Sequence, residues 1–324
     1  MNQYCAELGK DPLLVQAAGG NVSWKEDGVL WVKASGAWLS TAEHQNIFVP
    51  VDLKSLKTAI DSENYHIKPQ VLNQSGLRPS IETIFHALMP QKVVIHLHAV
   101  DIIAYLVQKE AETLIMSKIK DLNLQTIFVA YYKPGAALAQ QMATSLSKNP
   151  KAEVVFLKNH GIVIGGDTIE AAQTILKKLL SALSFPSSRV EHAPIKLNIR
   201  SIRNSYLPFP DIAVHQLALD PVLFEKLKPF WALYPDHVVF LGPEPYCYEK
   251  EETVKTDLEF IFIRNEGVFM NPLFSLAKQQ QLRCYYDVLS RLKLTDSIDV
   301  LCKDQIDELL NWDAEKYRTA LNKE

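Results

Sequence analysis

Three histidines in two short stretches of the chain have the side chains needed to bind a divalent metal. His96 and His98 flank a leucine at the end of the apolar stretch KVVIHLHA, and His160 lies in an Asn-His-Gly turn after the apolar stretch AEVVFLK. Side chains two residues apart on a strand point to the same face, so the first two imidazoles can reach one ion. Three neutral imidazoles that leave one position open are typical of a catalytic zinc site, although imidazole also binds iron, nickel and copper. An isolated His-x-His pair is more often structural, so the prediction of a metal site depends on the segments around it.

A carboxylate and a fourth histidine precede this strand in the stretch PSIETIFHALMP, which is predicted to be a helix between two prolines. Glu82 falls in its first turn, where the helix dipole stabilises a negative charge, and this is a common structural role. The alternative is that Glu82 acts as a general acid/base or as a displaceable fourth ligand beside the metal. His86 lies one helical turn after Glu82, and we expect it to pack beside the site rather than to bind the ion.

Two glycine-containing turns and a serine at a helix start have the groups that hold a phosphate. Glycine lets the backbone approach an anion closely, and turn N–H groups with Asn and Ser side chains supply donors. A helix start adds the positive end of its dipole. Each turn taken alone is explained by ordinary turn chemistry, and Lys33 is interpreted as a solvated strand lysine, with a role in anion binding as the alternative. The candidate phosphate-binding residues are Gly20, Asn21, Ser35, Gly36 and Ser80.

Strand and helix patterns alternate through the first part of the chain and place these residues near the ends of elements. The stretch AEVVFLKNHGIVIGG is predicted to form a hairpin, and DTIEAAQTILKKLLSALS a helix capped by Asp167. A Ser- and Pro-rich stretch, SFPSSRVEHAP, is predicted to link a domain of residues 1–189 to a second region of residues 190–324.

The second region is predicted to be a C-terminal α+β extension. HVVFLGP favours a strand, PLFSLAKQQQLRCYYDVLSRLKL a long helix, and DQIDELLNWDAEKYRTAL a single closing helix. Asp236 and His237 are interpreted as a solvated turn pair, with a role as additional metal ligands as the alternative. For the region as a whole, the open alternatives are a substrate lid, an oligomerisation element and a partner-binding domain.

The composition excludes several classes of partner. The 324 residues carry 34 basic and 37 acidic side chains, for a net charge of −3, which gives no electrostatic reason to expect nucleic-acid or anionic-membrane binding. The four cysteines are far apart and form no CxxC pair, which favours a reducing, cytoplasmic setting. The first residues lack the pattern of a signal peptide, and no apolar stretch approaches the ~20 residues of a membrane helix.

Five segments resemble a known family when they are taken in order. GGNVS, VKASG, PSIETIFHA, VVIHLHA and VVFLKNHG resemble the class II aldolase/adducin family over residues 10–185. The resemblance is closest to the aldolase half of bifunctional rhamnulose-1-phosphate aldolase/alcohol dehydrogenase proteins, through LGKDPLLVQAAGGN, PSIETIFHALMP and YYKPGAALA, and more weakly through PDHVV and LLNWDAEKYR. No G-x-G-x-x-G motif of a dehydrogenase follows any strand of this sequence.

The resemblance implies a class II aldolase-like α/β fold, with a central sheet flanked by helices, and a homotetramer with active sites at subunit boundaries. It implies that His96, His98 and His160 bind Zn²⁺ and that Glu82 is the acid/base. Tyr131 falls where fuculose-phosphate aldolase has a tyrosine that protonates the leaving aldehyde. The five candidate phosphate-binding residues would hold a substrate phosphate, although Ala18 and Ile81 stand where many members have a threonine and a second serine.

These features together predict a metal-dependent aldolase. It would cleave or form a C–C bond in a ketose or ketose phosphate through a metal-stabilised enediolate. Related members use the same site to epimerise, dehydrate or decarboxylate a substrate, and these reactions remain alternatives. A non-catalytic, adducin-like module is the other alternative, but such members lose the metal ligands that this sequence keeps.

Overall fold

The computed structural model describes residues 1–185, 202, 206–254 and 258–322 of the chain. Its larger sheet is formed by the strands β1 Asn21–Glu26, β2 Val29–Lys33, β3 Phe48–Asp52, β4 Val93–Leu97, β5 Thr126–Val129, β6 Val154–Leu157 and β7 Gly161–Gly166. The strand order is β3-β2-β1-β4-β7-β6-β5, and neighbouring strands are antiparallel except for the parallel pair β5–β6. The predicted hairpin is confirmed as the pair β6–β7.

Helices cover both faces of this sheet, as the prediction of a central sheet flanked by helices requires. One face packs on α3 and α6, and the other on α1, α4 and α7, through separate clusters of buried apolar side chains. The predicted α/β fold is therefore confirmed. The helices of this part are α1 Asn2–Lys10, α2 Leu53–Asp61, α3 Thr83–Leu88, α4 Val100–Leu106, α5 Ala111–Ile119, α6 Ala136–Lys148 and α7 Ile169–Ala182.

The central strand β4 carries the first two histidines to the site. It pairs with β1 on one side and β7 on the other, and all of its residues are buried. Successive side chains alternate between the faces, so Ile95 joins the cluster under α4 and α7, whereas Val94 joins the cluster under α3 and α6. His96 lies on the Val94 face and packs edge-on against Phe85 of α3. The register of β4 thus aims His96 at the helix that begins after Glu82.

The C-terminal region forms a second, smaller sheet with helices around it. Its strands are β8 Leu207–Pro208, β9 Cys247–Tyr248, β10 Phe260–Ile263 and β11 Gly267–Met270, in the order β8-β11-β10-β9. Its helices are α8 Gln216–Leu219, α9 Pro221–Lys226, α10 Pro235–Leu241, α11 Leu276–Leu289, α12 Lys303–Leu310 and α13 Asp313–Ala320. Among the described residues, no helix has both the length and the apolar character to cross a membrane.

Two predictions for this region are wrong in detail. HVVFLGP lies mostly within the helix α10, because Pro235 begins the helix and Val238 and Leu241 turn together into the C-terminal core. The stretch expected to be one closing helix is broken after Leu310, and α13 begins at Asp313 with Trp312 as its N-cap. Short apolar runs do not separate strand from helix by periodicity alone, which explains the first error.

The start of α7 also differs from the prediction. Thr168, and not Asp167, is the N-cap, and its side chain accepts a hydrogen bond from the backbone N–H of Ala171. The domain boundary expected at residue 189, and most of the predicted linker, lie outside the described residues, so the division into two domains stays a prediction.

Candidate metal centre

The three histidines come from different positions relative to the sheet and meet at one point. His96 is part of β4, His98 follows its last paired residue, and His160 lies in the turn between β6 and β7. One nitrogen from each ring lies within 4.8 Å of the other two. The turn that carries His160 is fixed by Asn159, whose amide donates to the carbonyl oxygens of Leu233 (2.9 Å) and Asp299 (2.7 Å). The convergence that the sequence suggested is therefore present.

Hydrogen bonds at Nδ1 set the tautomers of two of these rings. Nδ1 of His96 lies 3.1 Å from the carbonyl oxygen of Ile162, which only accepts, so this nitrogen carries the proton. Nδ1 of His98 lies 3.2 Å from Oδ2 of Asp236 and likewise donates. A ring whose only proton is on Nδ1 has a free lone pair on Nε2, which is the form that binds a metal.

The Nε2 atoms of these two rings face each other, as one bound cation would require. Nε2 of His96 and Nε2 of His98 are 3.1 Å apart. Two nitrogens on a tetrahedral zinc ion with Zn–N bonds of about 2.0–2.1 Å lie about 3.3–3.4 Å apart. The donor set and its spacing thus fit a divalent metal such as zinc.

Burial keeps the imidazoles of His96 and His160 in the neutral form that a metal requires. His96 is completely buried, and His98 and His160 nearly so. Burial, with the charge of His98 as the next cause, lowers the pKa of His160 to about 3 and lowers the pKa of His96 far below its usual value. Nδ1 of His160 has no hydrogen-bond partner among the described residues.

Glu82 lies beside the histidines at the N-cap position of α3, one residue before the first turn in which it was expected. Its Oε1 is 3.4 Å from Nε2 of His160 and 3.6 Å from Nε2 of His96. Its Oε2 accepts a hydrogen bond from the Asn21 amide at 2.5 Å. Burial, partly opposed by the charges of His98 and Arg318, raises the pKa of Glu82 to about 7. This carboxyl group can therefore gain and lose a proton near neutral pH.

His86 packs beside the site, as expected, and is not one of the three clustered histidines. Its Nδ1 lies 2.8 Å from the hydroxyl of Ser23, and its ring stacks on Phe85 beside the site. Because of burial, the pKa of His86 is lowered to about 3.

All five candidate phosphate-binding residues line one pocket together with Glu82, His98 and His160. Two of them already have partners inside the protein. The Asn21 amide donates to Glu82, and the Ser80 hydroxyl accepts from the Glu82 backbone N–H at 3.2 Å. Gly36 is covered by Leu321, because a Cβ on Gly36 would lie 2.6 Å from that side chain. The pocket thus contains the predicted residues, with part of their hydrogen-bonding capacity used to hold Glu82.

Lys33 and Asp236 contradict the roles that were favoured from the sequence. Lys33 is not solvated: it is 1% exposed, lines the pocket and donates to the carbonyl oxygens of Ala18 and Ala37. Burial, with the charge of Arg318 as the next cause, lowers the pKa of Lys33 to about 7. Asp236 is not a solvated turn residue either, because it is 3% exposed and contacts His98.

Tyr131 is the one predicted site residue that does not join the others. Within the described part of the chain it is absent from the residues that line the pocket. Its hydroxyl is buried without a hydrogen-bond partner there, and burial, followed by the charge of Glu308, raises its pKa. The catalytic role of Tyr131 stays a prediction from the resemblance.

The C-terminal region supplies pocket residues that sequence reasoning missed or, for Asp236, assigned to solvent. Asp236 at the start of α10 and Glu315 and Arg318 of α13 line the pocket beside the histidines. In the sequence, Glu315 and Arg318 have the spacing of an ordinary exposed helix pair. The only available signal was the weak resemblance of PDHVV and LLNWDAEKYR, which contain these three residues, to segments of the aldolase/dehydrogenase fusion group.

Comparison with known proteins shows several similarities over the first part of the chain. A curated relative from Bacillus subtilis (strain 168), described as the uncharacterized oxidoreductase YuxG, is 29% identical over 193 residues; these cover 54% of this chain, and the chain spans only about a quarter (27%) of that relative. This relative fits the noted resemblance to a fusion with a dehydrogenase.

Two solved structures are similar over 56% of this chain. The N-terminal class II aldolase domain of a conserved protein from Thermoplasma acidophilum has 26% identity over 89% of its chain, with a TM-score of 0.48. A sugar-phosphate aldolase from Thermotoga maritima has 15% identity over 93% of its chain, with a TM-score of 0.42.

The family itself is shown by a sequence model. The model of the class II aldolase and adducin N-terminal domain matches residues 1–183, which is more than half of the 324 residues and includes every predicted ligand. The chain therefore belongs to the class II aldolase and adducin family.

Proposed function

We propose that this chain is a metal-dependent aldolase that holds a divalent ion, most simply Zn²⁺, with His96, His98 and His160. The observation that carries the proposal is the convergence of three buried imidazoles, two of them with Nε2 free by their hydrogen bonds, next to the Glu82 carboxyl. When bound, the ion supplies Lewis-acid polarisation of a substrate carbonyl and of its neighbouring hydroxyl.

Glu82 is the proposed acid/base. In cleavage of a ketose, the hydroxyl on the carbon that becomes the aldehyde gives up its proton, and the electron pair of the broken C–C bond passes to the carbon next to the carbonyl. That carbon then takes up a proton. Glu82 is held for this transfer by Asn21 and by its position before α3, and burial raises its pKa to about 7. A carboxyl group with such a pKa both gives and takes a proton at neutral pH.

A phosphorylated ketose is the substrate class that the surroundings favour. A cleft of about 810 Å³ adjoins the metal pocket and shares Ser80, Ile81 and Pro134 with it. Three cations line the cleft, and none of them forms an ion pair with the described residues, while Glu308 is the carboxylate among the lining residues. The cations are Lys68, Arg78 and Lys133. An anionic end of the substrate in this cleft would leave its carbonyl end near the histidines.

The test compares metal content and turnover in the same protein samples. We predict that Glu82→Gln keeps the metal and loses turnover of a ketose phosphate by about 10²–10⁴-fold, the usual contribution of a general acid/base. The matched control is Glu112→Gln, on the exposed side of α5, which leaves both quantities unchanged. Glu82→Gln turnover close to wild type would remove Glu82 from the reaction.

Product analysis with a panel of ketoses and ketose phosphates identifies the reaction. The proposal predicts an aldehyde and a shorter ketone from each cleaved ketose, with faster turnover of the phosphorylated members. An epimerised, dehydrated or decarboxylated product without C–C cleavage between two sugar carbons contradicts the aldolase assignment and supports one of the alternatives on the same site.

A further inference from the structure

We infer that Asp236 is a positioning residue for His98. Through this contact, the C-terminal region forms part of the metal centre. The inference rests on the proposed metal site and goes beyond it, because the family match ends at residue 183. It gives a role to a region whose function the sequence left open.

His98 needs a partner that the sheet does not provide. Nδ1 of His96 donates to the carbonyl oxygen of Ile162 on the neighbouring strand. β4 ends at Leu97, which pairs with Ile162, so His98 lies beyond the last paired residue. Oδ2 of Asp236 takes the corresponding place at 3.2 Å from Nδ1 of His98. A histidine ligand that donates its second nitrogen to a carboxylate is fixed in both tautomer and orientation.

The second oxygen of Asp236 is held by the last helix. Arg318 of α13 forms a hydrogen-bonded ion pair with Oδ1 of Asp236, and its other terminal nitrogen donates to Glu315 at 3.2 Å. Gln281 of α11 approaches Oδ2 at 3.4 Å. A carboxylate that is 3% exposed requires such partners to remain ionised. Two C-terminal helices, α11 and α13, thus hold the carboxylate that α10 presents to His98.

A glycine of the first region leaves room for this contact. A Cβ on Gly19 would lie 2.9 Å from the carbonyl oxygen of Gln16, 3.0 Å from Nδ1 of His98 and 3.1 Å from Oδ2 of Asp236. The backbone of Gly19 is not in the left-handed region, so the need for glycine here comes from space rather than from conformation. The Gly-Gly-Asn turn therefore has a function besides turn chemistry: it admits a carboxylate from the C-terminal region.

A purely structural ion pair between α13 and α10 explains less. Such a pair requires only the contact of Arg318 with one oxygen of Asp236. It does not account for the second oxygen at hydrogen-bond distance from a predicted ligand. The positioning role accounts for the contacts of both oxygens.

The experiment measures zinc affinity of the full chain by competition with a chromophoric chelator. Asp236→Asn should weaken zinc binding by about 10–100-fold, the usual effect of removing a carboxylate behind a histidine ligand. Asp287→Asn is the matched control, because Asp287 is also a buried C-terminal carboxylate bound to an arginine, Arg283, but has no contact with the pocket residues in the described structure. Its affinity should equal that of wild type.

A ring ¹⁵N spectrum separates positioning from general destabilisation. The metal-free wild type should show His98 with the proton on Nδ1, and Asp236→Asn should shift part of the population to the Nε2 tautomer. Gly19→Ala, which changes no charge, should also weaken zinc binding and carries the test should Asp236→Asn fail to fold.

Folded Asp236→Asn and Gly19→Ala proteins with wild-type affinity and an unchanged His98 tautomer would overturn the inference and leave the proposed function intact. A wild-type protein that binds no zinc would overturn both.

Discussion

At the scale of single residues, two of the proposed ligands are held by different kinds of partner. The spacing of His96 and His98 on an apolar strand, and of His160 in a turn, follows from side-chain alternation alone. The partner of His96 is a backbone carbonyl that strand pairing brings close. The partner of His98 is Asp236, far along the chain, which local reasoning assigned to solvent. Both contacts join residues that are far apart in the sequence, so the local sequence pattern does not predict them.

Buried neutral histidines have a consequence for stability at acidic pH. His237 is completely buried, packs against the rings of Trp231 and Tyr285, and accepts a hydrogen bond at Nδ1 from the Leu233 backbone N–H. Burial lowers its pKa from 6.5 to about 3. The unfolded chain binds a proton at this residue below pH 6.5 and the folded chain does not, so stability is lost as the pH falls from 6.5 toward 3.

We predict that His237→Asn removes this contribution, since asparagine keeps an acceptor but does not titrate. As the pH is lowered from 6 to 4, the unfolding free energy of the wild type should fall relative to that of the variant, by up to about 1.4 kcal/mol per pH unit. Urea denaturation at several pH values measures it. If the unfolding free energies of the two proteins changed in parallel with pH, His237 would take up its proton equally in the folded and the unfolded chain, against this prediction.

At the scale of elements, long periodic stretches were predictable and short ones were not. The central strands and the helices α6, α7 and α11 lie where their patterns indicated. The start of α10 was misread because its apolar stretch is short. The break between α12 and α13 was missed because its helical pattern continues through Trp312, which packs against Gly135. Tertiary contact, rather than local preference, fixes that break.

The cap of α7 gives a test in which sequence and structure differ. Thr168→Ala should destabilise the protein by about 1 kcal/mol, because the Ala171 backbone N–H loses its side-chain acceptor. Asp167→Ala, one residue earlier and exposed, should change stability by less than about 0.5 kcal/mol. Thermal or urea unfolding of both variants measures the difference. A larger loss for Asp167→Ala would place the cap where the sequence pattern put it.

At the scale of the whole molecule, the two regions share buried surface. One apolar cluster joins Ile103 of α4 and Val107 at its C-cap to Leu289 of α11 and to the C-terminal sheet. Arg291 pairs with Asp101, and the Asn159 amide binds two C-terminal carbonyl groups. This joint core is what brings Asp236 and Arg318 to the histidines. The sequence pattern predicts which face of each helix or strand is buried. It does not predict which elements pack against each other.

We therefore predict that the metal-free protein unfolds in one transition. Ile103→Ala and Leu289→Ala should each lower the stability of that same transition by about 2–5 kcal/mol, because both side chains are fully buried in the joint cluster. Calorimetry and urea denaturation measure the effect. A second unfolding transition whose midpoint is unchanged by one of the two substitutions would show that the regions unfold independently.

The central claim is that three imidazoles bind one metal ion, and elemental analysis of zinc-reconstituted protein tests it most directly. The wild type should contain about one equivalent of zinc per chain. His160→Ala should lose most of it, and His44→Ala, at an exposed histidine outside the pocket and the cleft, should not. A His160→Ala protein with the zinc content of the wild type would contradict the account.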